Sequence, residues 1–165
     1  MTVESAGTLG LLTEFYGDKL ASVRQHEAHA RLVLQYDANN TYQYIINRED
    51  VQLGWLANAI ADAGGAVPES AGVPPAAAAR GKEAVRALFD DDIRSAQAFL
   101  DRWRPRVARM DNARHRAMLG VILGETREQQ RFFEQALAGR ADLLGRRSSA
   151  GLPAQGDVLP ARWIE

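Results

Sequence analysis

Four acidic residues, Glu27, Glu49, Asp92 and Glu125, set the chemical question in this sequence, because each falls on the apolar line of a helical stretch. Projection at about 100° per residue gives those lines. Glu49 lies among Tyr42, Ile45, Ile46, Leu53, Leu56 and Ile60, and Asp92 among Val85, Leu88, Phe89, Ala96, Phe99 and Trp103. Glu125 is flanked by Met118, Val121, Ile122, Phe132 and Ala136, and Glu27 aligns with Leu9, Tyr16, Leu20, Val23, Ala30 and Leu34. A carboxylate turned into a core without a partner costs several kcal/mol, so something must compensate each one. A pair of hard cations would do so through oxygen ligands. Arginine would do so too, since Arg24 and Arg31 lie about one turn either side of Glu27. A different helix rotation would instead leave some of these acids in water.

The elements that would position these acids are legible in the breaks. No proline occurs between Thr8 and Ala63, and the turn-forming run Asp37-Ala38-Asn39-Asn40 divides that stretch. The pattern predicts helices over 8–37 and 40–62, with Asn40 and Gln43 as a capping box and Gly64-Gly65 as a stop. The Pro/Ala/Gly-rich segment 64–80 is long enough to cross a bundle end to end. A third helix is expected over 81–104, ended or kinked by Pro105, and a fourth from an Asp111 cap to Gly139 or Gly145. Tight turns would bring Glu27 level with Glu49, and Asp92 level with Glu125. The reading is one all-α domain over 1–145 with an extended tail over 146–165, in which Leu159, Trp163 and Ile164 are available to dock.

Composition narrows the classes. The chain has 165 residues, 46% of them hydrophobic and 25% charged, with a formal net charge of −1, which is ordinary globular usage. The absence of cysteine excludes disulfides, thiolate metal sites and thiol nucleophiles. No secretory leader or membrane-length apolar run is legible, so a cytoplasmic protein with no membrane association is expected. Arg102, Arg104, Arg106, Arg109, Arg114 and Arg116 crowd the third turn. With so balanced a chain they read as a solvated bundle end, not as a nucleic-acid contact.

At this point the chain resembles the ferritin-like superfamily, bacterioferritins and rubrerythrins in particular. Those proteins carry Glu on the first and third helices and Glu-x-x-His on the second and fourth. The corresponding stretches here are Glu49-Asp50-Val51-Gln52 and Glu125-Thr126-Arg127-Glu128, the latter within MLGVILGETREQQRFFEQAL. The resemblance implies a ferritin-like four-helix bundle with a long crossover between helices two and three. It implies an Fe or Mn site held by Glu27, Glu49, Asp92 and Glu125, with Gln52 and Glu128 as additional ligands, a metal-binding or oxidoreductase role, and a homo-oligomer. Both motif histidines are missing, replaced by Gln52 and Glu128, and the third-helix acid is the shorter Asp92. His26 and His29 project away from the apolar line of the first helix, and His115 lies roughly 15 Å from Glu125 along the fourth. The alternative is a metal-free bundle that serves as a structural or protein-interaction module.

Overall fold

The structure, a computed structural model, describes residues 3–69, 81–140 and 142–144. Among them are four α-helices and no strands: α1 (Val3–Ala30), α2 (Tyr36–Asp62), α3 (Lys82–Ala108) and α4 (Ala113–Leu137). No helix is long and apolar enough to cross a membrane. The expected tail over 146–165 and most of the 64–80 connection lie outside the described residues.

Capping explains where the helices differ from expectation. α1 ends at Ala30, seven residues before the expected stop, because the Asn39 side chain donates to the Ala30 carbonyl at 3.0 Å. Gln35 then caps α2, its side-chain oxygen accepting the Ala38 N–H at 2.6 Å. The residues read as a turn, 37–40, are therefore the first turn of α2, and Asn40 is not its cap. Asn112, one residue beyond the expected Asp111, caps α4 by accepting the His115 N–H at 2.9 Å. Gly64 and Gly139, at φ +80 and +89, end α2 and α4 in the left-handed conformation that glycine tolerates. In each case the next residue returns its N–H to the last turn, Gly65 to Ile60 and Arg140 to Gln135.

Pro105 does not end α3, since the helix runs on to Ala108 with the proline in its last turn. The reason is packing on both sides of the proline. Trp103, Val107 and Met110 are all buried, and that burial outweighs one missing helical hydrogen bond.

Contacts fix the directions. Glu14 meets Arg106 while Gln25 meets Asp92, so α1 and α3 are antiparallel. Tyr44 meets Phe132 while Arg48 meets Glu125, so α2 and α4 are antiparallel as well. The interior has two apolar parts. One gathers Leu12, Phe15, Leu56, Ile60, Trp103 and Leu119, and the other Val33, Tyr42, Ile45, Ile46, Phe89 and Phe133. Between them lies a layer of buried polar side chains.

Candidate functional site

That layer is built mainly by α1, whose buried line runs Leu12, Phe15, Lys19, Val23, His26, Ala30, with Val33 just beyond the helix end. Spaced at three and four, these positions form one helical stripe, and its two middle members that are not hydrocarbon are cations. Lys19 is 1% exposed, and its ammonium donates to Glu49 Oε1 at 2.7 Å. His26 Nδ1 lies 2.8 Å from the other Glu49 oxygen, and its Nε2 lies 3.7 Å from Asp92 Oδ1. Both oxygens of this fully buried carboxylate are thus occupied by cationic side chains of the neighbouring helix.

Asp92 is equally enclosed. The Tyr42 hydroxyl donates to Oδ2, His29 Nδ1 lies 2.9 Å from the same oxygen, and Gln25 Nε2 donates to Oδ1 at 2.9 Å. Gln25 also donates to Ser95 at 3.0 Å. The network thereby links α1, α2 and α3 and reaches half-exposed Asp91, 3.8 Å from His29 Nε2. A cavity of about 20 Å³ lies against it, lined in part by Lys19, Gln25, His26, Glu49, Ser95 and Gln129. That is room for one water with polar partners on several sides.

The electrostatics follow from this enclosure. Burial alone would raise the Glu49 pKa, but the charges and hydrogen bonds of His26 and Lys19 overcome it and hold it at about 2. Burial likewise disfavours the His26 imidazolium. Glu49, with Asp92 behind it, outweighs that effect and the repulsion of Lys19, so the His26 pKa is raised. Tyr42 is pushed well above the ordinary phenol value by burial first and by the Asp92 charge second. The layer is therefore an ionised carboxylate between cations with a protonated tyrosine donating beside it.

The six acidic and amide residues singled out in the sequence have different fates. Glu49, Gln52 and Asp92 are fully buried, and His26 bridges Glu49 to Asp92. Glu125, its side chain 28% exposed, is held from α2 by Arg48 and by the Gln52 amide. The Gln52 side-chain oxygen is buried without a hydrogen-bond partner. Glu27 is buried and pairs with Arg24 on its own helix at 2.8 Å. Glu128 is solvent-exposed, with Arg131 3.6 Å away on the same helix. Arg24 is thus one of the compensating arginines expected from the sequence, whereas Arg31 is exposed.

Two expectations are corrected. His26 and His29 do not lie on the solvated face of α1; they are 6% and 8% exposed and touch the central carboxylates. The main counter-charge in the layer is not arginine but Lys19 and His26. On the line expected from Leu9, Tyr16, Leu20, Val23, Ala30 and Leu34, the residues Leu20, Val23, Glu27 and Ala30 are buried, but the line misses Leu12, Phe15, Lys19 and His26 and runs past the end of α1. Leu34 is 76% exposed, whereas Val33 beside it is fully buried. The signal that could have completed the line was Leu12 and Phe15 at helical spacing with Val23 and Ala30, read with the two cations between them as partners for the acids opposite.

As a metal site the layer fits poorly. Among the described residues no three or more His, Asp and Glu are grouped to hold a metal ion. The Lys19 ammonium already stands against Glu49, where a metal bound by that carboxylate would have to be. Comparison with protein families, curated proteins and solved structures finds no match to this chain.

Proposed function

We propose that the chain is a metal-free four-helix bundle of ferritin type, a structural or protein-interaction module rather than an Fe or Mn oxidoreductase. The observation that carries this reading is the occupation of both Glu49 oxygens, by Lys19 Nζ at 2.7 Å and His26 Nδ1 at 2.8 Å. Charges of the protein's own side chains supply what a metal pair would supply, at the level where ferritin-like proteins carry ligands. Iron or manganese at Glu27, Glu49, Asp92, Glu125, Gln52 and Glu128 would have to displace Lys19 and Arg48, and Glu128 faces solvent.

The ferritin-type crossover belongs to the same proposal. The chain leaving α2 packs at Gly65 against Leu9, near the start of α1. α3 begins at the other end, where Lys82 and Val85 share a groove with Leu32 and Leu34 of the α1–α2 turn. A connection spanning the bundle is what those two positions support. A partner surface, for a second copy of the chain, is supported by Tyr44, Val51 and Val121, the exposed apolar side chains of α2 and α4.

Urea unfolding with chelator, with added Mn(II) and with added Fe(II) tests the reading. Anything bound only by the folded state raises its stability by mass action. The expected result is one unfolding midpoint in all three conditions. A midpoint raised by Mn(II) or Fe(II), with the rise lost in Glu49→Gln, would overturn it.

A further inference from the structure

A second cavity lies away from the polar layer, at the end of the bundle where the α1–α2 turn, the start of α3 and the end of α4 meet. It is an open groove of about 740 Å³, within the range of about 300–1,000 Å³ that small-molecule sites occupy. Its wall is mostly apolar, with Leu32, Leu34, Ala38, Val85, Phe89 and Leu143 among the lining side chains. Phe89 and Leu143 are buried in its floor, while Leu34 stands on the lip at 76% exposure.

Among the described residues, the charged side chains that line the groove are Lys82, Arg86 and Arg140, all of one sign, in a chain whose acids and bases are otherwise nearly balanced. Arg86 is anchored there by a hydrogen bond from its guanidinium to the Leu137 carbonyl at 3.0 Å, and Arg140 by its contacts to the Asp142 carbonyl and Gln135. Both are thus held at the mouth through neutral acceptors. An apolar trough with a cationic rim matches a ligand with one aliphatic chain and one anionic head.

We propose that this groove binds a single-chain anionic amphiphile, a free fatty-acid-type carboxylate, with the aliphatic chain over Phe89, Val85 and Leu143 and the head at Lys82, Arg86 and Arg140. The site is independent of the Glu49 layer, so it stands or falls separately from the metal question. It gives the bundle a small-molecule partner in addition to any protein partner.

The test is calorimetric titration of the full chain with dodecanoate below its micelle concentration, alongside dodecanol and dodecyltrimethylammonium. Saturable binding of one dodecanoate is expected, with weaker binding of the alcohol and none of the cation. Loss of a charge-assisted contact predicts that Arg86→Glu and Lys82→Glu each weaken dodecanoate about tenfold or more. Both positions are solvent-exposed, so the variants keep the fold, which circular dichroism checks. Equal binding of the cation, no saturable binding, or affinity unchanged in both charge reversals would overturn the proposal. So would binding that appears only in Trp163→Asp, because the groove would then belong to the chain's own C-terminal segment.

Discussion

Glu14 and Glu49 are held at the same acidity by different surroundings. Glu14, on the outer side of α1, has its pKa lowered to about 2 by hydrogen bonds and charge from Arg106 and Arg102. Its side chain is 41% exposed, and the same arginines also serve the turn, Arg102 reaching Asp18 at 2.9 Å and Arg106 lying over the Trp103 ring. Glu49 reaches about 2 against the opposing effect of complete burial, because Lys19 and His26 are buried with it. The lesson is that a shifted pKa reports only the balance of environment and partners. An exposed pair is screened and contributes little, whereas a buried carboxylate depends wholly on its partners.

The largest expected effect comes from removing one side of the buried pair. Lys19→Met leaves Glu49 short of a partner in the core and is expected to cost about 3–5 kcal/mol in urea unfolding. The double variant Lys19→Met/Glu49→Leu should recover much of that loss, which a double-mutant cycle would read as strong coupling. Additive losses would mean that the two side chains do not share a buried pair. By contrast, Arg106→Met beside Glu14 should leave the unfolding midpoint nearly where it was.

Next in size is Asp92→Asn. It removes the charge that accepts from Tyr42 and Gln25 and faces His29, and should cost about 1–3 kcal/mol. A variant as stable as the parent protein would show that Asp92 is not held by those donors.

The pH dependence separates the two acids further. A carboxylate whose folded pKa is depressed adds stability that is present above its unfolded value and lost as pH falls. For Glu49 the window runs from about 4.5 down to about 2. His26 acts in the other direction. Its raised pKa adds stability that is complete below the ordinary value of 6.5 and disappears as pH rises past the folded value. Glu49→Gln should therefore flatten the acid limb of the stability curve, and His26→Gln the limb above neutrality. Unchanged slopes in both would refute this assignment of the layer's charges.

The smallest effect is the response to salt. Carboxyl NMR titration in low and high salt should return Glu14 toward ordinary acidity while Glu49 stays low. If both moved together, Glu49 would not be sheltered from solvent.

These contrasts also explain what the sequence did and did not disclose. Four helices, the absence of strands among the described residues and the inward placement of Glu49 and Asp92 followed from apolar spacing on α2 and α3, whereas Gln52 entered only through the family resemblance and the α4 line included the exposed Val121. α1 was harder because its buried line contains Lys19 and His26, which a hydropathy projection assigns to solvent. Helix ends at Ala30 and Tyr36 were missed because they depend on Asn39 and Gln35 side chains reaching across a turn. Pro105 as a helix end was over-read because the packing of Trp103 and Val107 is tertiary and leaves no local trace. Pairing of buried charges is likewise a property of two helices at once, so one helix read alone could not supply it.

On the proposed reading, this protein's own cations, not a metal, neutralise the buried acids. Elemental analysis of untagged protein, purified after growth with added iron and manganese, tests it most directly. The account predicts no stoichiometric iron or manganese in the parent protein or in Glu49→Ala. One or two equivalents of either metal in the parent protein, lost in Glu49→Ala, would contradict it.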